Sequence, residues 1–342
     1  MSGAPWWMLL TGAAAAFWPG PHPSPGPADP RAACAGCHAD IAAEQARSFH
    51  ARSWTDPMFQ RSFAREPQRF CRDCHAPAAT GDSPRAALLQ AGVTCVGCHG
   101  DPSAPLAAPA PADRGRAPHA VRRDPRFGTS TQCAGCHEFT FPDETWRREP
   151  AWMQTTVAEH AASPYDDRAC AGCHMPPVDG PRGSHRSHDF HTPHDPAALR
   201  AALHVVAHRD PDDGRLWLAL SVDDVGHAFP SGDLFRRLEV LVEAVGPDHA
   251  VITSQRRFLA RHWGRERGLG GLPVRVVASD DRPRPGSPAV LRLDLGPAAL
   301  PWPVAYRITY QRPIAVRDDA EDTAEVFDEV VLCEGELPAA LP

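Results

Sequence analysis

Ten of the 11 cysteines in this 342-residue chain fall into five copies of one pattern, C-x-x-C-H. The copies are Cys34, Cys37 and His38; Cys71, Cys74 and His75; Cys95, Cys98 and His99; Cys133, Cys136 and His137; and Cys170, Cys173 and His174. This is the attachment signature of a c-type haem, in which two thiols add across the porphyrin vinyl groups and the next imidazole reaches the iron. Five covalently bound haem c groups are therefore the expected cofactors. Zinc ribbons also use C-x-x-C pairs, but a closed tetrahedral site takes two pairs and needs no histidine after each. Disulfides suit an oxidising compartment, yet five such short bridges, each followed by histidine, make a poor framework. Cys333 stands apart in the apolar run Val330-Val331-Leu332-Cys333 and reads as a buried, inert thiol.

The chain has 18 histidines, and the motifs use five as proximal ligands. A second histidine on an iron makes a six-coordinate electron-transfer centre, whereas an open position makes a site for substrate. His50, on a candidate helix after the first motif, is the firmest distal candidate. His119 follows the third motif across a proline-rich stretch. The run His185, His188, His191 and His194 offers further candidates, of which His188 and His194 are taken as ligands. His227 sits in the constrained sequence Gly226-His227-Ala228-Phe229-Pro230-Ser231-Gly232 and is expected to be a ligand that stitches two domains together. For each of these the alternative is an exposed or propionate-pairing histidine. Met58, Met153 and Met175 are alternative axial ligands.

These ligands need elements to hold them. Every motif lies between residues 34 and 174, with about 32 residues per haem out to His194, too few for a conventional side-chain core. The haems themselves should fill the interior, inside short helices and loops, and the haem-free chain should fail to fold. Helices are expected over 40–52, 59–69, 152–162 and 195–203, and an exposed loop over the proline-alanine insertion 101–118. From about residue 203 the texture becomes a period-two alternation rich in β-branched residues. Strands are expected at 204–209, 216–222, 237–245, 251–256, 274–278, 289–295, 305–311 and 326–333. The expected fold is thus multi-domain: a haem-packed, mostly α or irregular domain over 31–200, then an all-β sandwich over 201–342.

Residues 1–30 read as a signal peptide and a stiff proline-rich spacer, the apolar stretch 6–17 being too short to cross a bilayer. A periplasmic or extracellular location and no transmembrane segment in the mature chain follow as expectations. The net charge of −7, made more negative by haem propionates, argues against nucleic acid and anionic membrane as partners. Redox partner proteins, including other multihaem cytochromes, are the expected partners.

The chain resembles the multihaem cytochromes related to the tetrahaem cytochrome c that accepts electrons from hydroxylamine oxidoreductase. The carrying features are the motif at 34–38 with Ser48-Phe49-His50, and Gly92-Val93-Thr94 before the motif at 95–99 with a later His119. Met175-Pro176 after the motif at 170–174, Ser187-His188-Asp189-Phe190, and Gly226 to Gly232 followed by Arg236 also match. The resemblance implies bis-histidine haems in stacked and near-perpendicular pairs, and periplasmic electron transfer. Pentahaem nitrite reductase uses a lysine as proximal ligand of its catalytic haem, and this chain contains no lysine. An electron carrier is the leading expectation. The alternative is a reductase of a small nitrogen or sulfur oxyanion at one five-coordinate haem, suggested by Tyr165 and Arg168 at a place where a faint internal repeat (44–50 against 159–165) puts a ligand. A third reading makes the β domain a docking module for a partner protein.

Overall fold

The computed structural model describes residues 32–81, 84–109, 119–141, 149–190, 195–317 and 320–340. The expected signal peptide and spacer, most of the proline-alanine insertion, His191 and His194 lie outside the described residues.

The first part of the chain is built from short helices. A single helix was expected over 40–52, but Ser48 divides it into Ala39–Arg47 and Phe49–Arg52. Ser48 is extended (φ −70°, ψ 160°), and its hydroxyl accepts a hydrogen bond from the Ala51 amide, capping the second helix. The next helix, Pro57–Arg65, starts with proline in its first turn and Asp56 as its cap. The segment expected as a helix over 152–162 begins instead as a strand, Trp152–Thr155, paired antiparallel with Glu138–Thr140. The helix Thr156–Ala161 follows it. The insertion is also more than a surface loop: Leu106 is buried, and Leu106–Ala107 pairs in parallel with Arg122–Arg123.

From Leu203 the chain is β-rich. One antiparallel sheet runs Ala289–Leu293, Leu216–Val222, Leu203–Arg209; another runs Val251–Leu259, Arg237–Val245, Val304–Arg317, Ala320–Leu337. A hairpin of Arg261–Arg267 and Pro273–Asp280 completes the region. In Leu216–Val222 the three leucines and Val222 are buried while Trp217, Ala219 and Ser221 face the other way, as a pleat of period two requires. Leu216, Leu218 and Leu220 of the first sheet meet Leu238, Val240, Val242, Ile308 and Tyr310 of the second in one apolar cluster. Leu199 of the helix Pro196–Ala202 joins the same cluster. Cys333 lies at its margin with Tyr306, partly exposed rather than fully buried. Among the described residues no helix is long and apolar enough to cross a membrane.

Candidate haem centres

Four of the five motifs end as helices that close on their histidine: Cys71–His75, Cys95–His99, Ser130–His137 and Cys170–His174. The first is a helical turn in which the His38 amide donates to the Cys34 carbonyl at 2.8 Å. Residues three and four apart share one face of a helix. Both thiols and the imidazole of each motif therefore point to the same side, as attachment to one porphyrin demands.

The distal candidates come to the motif histidines in a consistent geometry. The His38 and His119 ring centroids are 6.3 Å apart, His50 and His137 6.3 Å, His99 and His188 6.4 Å, and His174 and His227 6.3 Å. Two imidazoles on opposite sides of one metal have nitrogen–metal bonds of about 2.0 Å, and with about 1.1 Å from each nitrogen to its ring centre the centroids fall ~6.2 Å apart. Direct ring stacking would bring them closer. The separations thus fit iron between each pair. Among the described residues no three His, Cys, Asp or Glu side chains gather to hold a bare metal ion.

Six of the rings are also oriented for it. His75 Nδ1 lies 2.8 Å from the Ser53 carbonyl and His99 Nδ1 2.8 Å from that of Leu106. His119, His188 and His227 make the same contact with the carbonyls of Ala120, Arg186 and Ala228 at 2.8 to 2.9 Å. His137 Nδ1 faces the Gln154 side-chain oxygen at 3.2 Å. An Nδ1–H held by an acceptor fixes the tautomer and leaves Nε2 for the metal. Burial, then the nearby charges of His137 and His174, pushes His50 down to about 4, and burial pushes His137 to about 4 as well. Burial lowers His38, His75, His99, His188 and His227 in the same direction. Neutral imidazole is the form that ligates.

His50 is placed by backbone. The Val93 amide donates to the His50 carbonyl at 2.8 Å, and Gln45 donates to the Val93 carbonyl at 2.7 Å. Gly92 makes that approach feasible: its φ is +64°, and a Cβ there would sit 2.6 Å from the carbonyl oxygens of His50 and Ala51. His227 is placed by side chains. Glu159, on the helix Thr156–Ala161, accepts from Ser231 at 2.5 Å and pairs with Arg282 at 2.7 Å, both buried. The loop carrying His227 is thereby fastened to the part of the chain that carries the five motifs.

The motifs themselves adjoin. The sulfurs of Cys34 and Cys95 lie side by side, as do those of Cys74 and Cys136 and those of Cys133 and Cys170. Cys98 lies within electrostatic reach of Cys136. The first motif is therefore next to the third, the third next to the fourth, and the fourth next to both the second and the fifth.

His75 has a different neighbour. The Phe59 ring lies parallel to it at 3.8 Å and 14°, and His194, expected as a ligand, lies outside the described residues. His185 pairs with Glu44 at 3.0 Å, and His160 packs against Gly226. Tyr165 also lies by Gly226, with the Arg168 guanidinium over its ring; the ring that faces His174 is that of His227, 6.3 Å away. Sequence reasoning missed Ser53, Leu106 and Gln154, because a carbonyl or amide that orients an imidazole leaves no pattern in sequence.

Residues 33–100, which hold the first three motifs, match the family described as cytochrome c554 and c-prime. No curated protein matches the chain. Among solved structures, the penta-heme cytochrome c552 from Thermochromatium tepidum is similar, with a TM-score of 0.63 and 19% identity over 90% of this chain and 98% of that one. At that identity the likeness is one of fold. The family match and the fold together support a multihaem c-type cytochrome.

Proposed function

We propose that residues 31–200 bind five haem c groups and that the chain carries electrons between redox partner proteins, other multihaem cytochromes among them, after export to the periplasm or beyond. The four histidine pairs at 6.3 to 6.4 Å carry this reading, because paired imidazoles close both faces of an iron to substrate. Haem iron supplies the one-electron chemistry; the protein supplies the ligands, their orientation, and motifs close enough to form one connected set. The relation to electron acceptors of hydroxylamine oxidoreductase belongs to the same proposal, as does the sandwich architecture of residues 201–342, which the shared core of the two sheets supports.

The test is a spin-state spectrum of the oxidised protein and of His227→Gly. Wild type should be predominantly low-spin, and the variant should gain one high-spin haem that binds one equivalent of cyanide. A largely high-spin wild type, or a variant with an unchanged spectrum, would contradict the assignment.

A second reading, reduction of a small nitrogen or sulfur oxyanion, attaches to the iron of His75, the motif histidine outside the four described pairs. Oxidised wild type that is wholly low-spin and binds neither cyanide nor nitrite would remove it.

A further inference from the structure

Just after His227, the loop Pro230-Ser231-Gly232-Asp233 is held by three arginines. Arg282 donates to the Pro230 carbonyl at 2.6 Å, and Arg236 to that of Ser231 at 3.0 Å. Arg261 donates to those of Gly232 and Asp233 at 2.8 and 3.1 Å. A guanidinium has five N–H donors and a charge, and burial is costly unless both are met. Arg282 meets them with carboxylates: Glu159 at 2.7 Å, and both oxygens of Asp280 at 2.9 and 2.7 Å.

Arg261 is buried too, at 6% exposure, yet its hydrogen bonds go to backbone carbonyls and its Nη1 is buried without a partner. Arg236 likewise leaves a buried Nε unpartnered. The carboxylates within reach of Arg261 are engaged elsewhere. Glu138 accepts from the amides of Val157 and Ala158, Glu159 holds Arg282 and Ser231, Asp280 holds Arg282 and Arg284, and Asp233 caps the Phe235 amide. Burial works to lower both Arg261 and Arg282. Asp280 and Glu159 lift Arg282 above its ordinary value, while Arg261 stays below. Both underused arginines lie at the end of the fourth motif, Arg236 within electrostatic reach of His137 and Arg261 of Glu138.

We propose that Arg236 and Arg261 form a site for one carboxylate-like anion beside the fourth motif, filled by a propionate of the haem held at Cys133, Cys136 and His137. Charge-assisted bonds from the two unpartnered nitrogens, Arg236 Nε and Arg261 Nη1, would satisfy the buried donors and the buried charge together. The β-rich region would then hold the haem-bearing region by a cofactor carboxylate as well as by His227. A small free oxyanion offers the same chemistry, so the test must separate the two sources.

The proposal rests on the five-haem reading, so intact mass comes first; fewer than five haems in wild type defeats that reading and is scored separately. Redox titrations then compare wild type, Arg236→Gln and Arg261→Gln, without added oxyanion and with increasing nitrite. Each variant should lower the midpoint potential of one haem without any added anion, since a propionate left uncompensated favours the ferric state. A nitrite-dependent shift in wild type that both variants lose would support the anion site with a free anion as its occupant. Five-haem variants with wild-type potentials under both conditions would overturn it. If the glutamine variants fail to mature, Arg236→Lys and Arg261→Lys decide: maturation with near-wild-type potentials supports a requirement for charge, and failure like that of the glutamine variants overturns it in favour of packing.

Discussion

Beyond Leu203, Leu216, Leu218, Leu220, Leu238, Val240 and Ile308 are completely buried in a cluster shared by two sheets. Among the described residues between 32 and 190 the helices are four to nine residues long, and an apolar cluster there has Trp54, Ala76 and Ala79 at its centre, with Phe59, Phe63, Leu88 and Leu89 around it. Helices shorter than ~12 residues are marginal in water on their own. One region has the apolar interior of a free-standing domain. The other has cysteines and histidines where such an interior would be, which is what a chain wrapped around cofactors should look like.

The largest effect should come from withholding haem. Residues 32–190 should then lose their helices and become protease-sensitive, while a fragment spanning the strands from Leu203 survives; circular dichroism and limited proteolysis read both. Haem-free protein with its helices intact would erase the contrast. Next is the joint between the regions. Glu159→Gln leaves Arg282, whose side chain is 2% exposed, without one of its two carboxylates, and breaking a buried pair costs about 3–5 kcal/mol. Denaturant titration should show that loss, and a stability unchanged to within experimental error would mean that the ion pair does not tie the regions together. Leu218→Ala, at a fully buried site, should cost about 2–5 kcal/mol in the β-rich region and leave the haem spectrum unchanged. A shift of spin state would show that the two interiors are not independent.

The smallest effect is one of pH. His262 lies between Asp281 at 2.9 Å and Glu321 at 2.8 Å, and the Asp281 hydrogen bond leads in raising it to about 9. A group raised on folding stabilises fully below its unfolded value near 6.5, and that contribution fades as pH rises through 9. Wild-type stability should therefore decline between those values, and His262→Asn should flatten the decline. An equal slope in both proteins would assign the pH dependence to other groups.

The C-x-x-C-H motifs were legible because covalent chemistry fixes both residue types and spacing. Strands were legible where one face is buried: 216–222 and 237–245 agree at both ends with the structure. Arg261–Arg267 escaped because Arg-His-Trp-Gly-Arg-Glu-Arg has no apolar alternation and lies in a two-stranded hairpin. His50, His119, His188 and His227 stood out as candidates, but their partners did not. His119 follows the third motif yet faces His38 of the first, and His50 follows the first yet faces His137 of the fourth. Such pairings are set by how motifs pack in space, and no local pattern records them. Arg236 and Arg261 were equally silent, because an arginine in a strand or loop looks like any exposed charge until its burial is known.

The central claim is that cofactors build the interior of the first region, and intact mass of the purified protein tests it most directly. The account predicts the mass of the mature polypeptide plus five covalently attached haems. A colourless protein, or one carrying fewer than five, would contradict it.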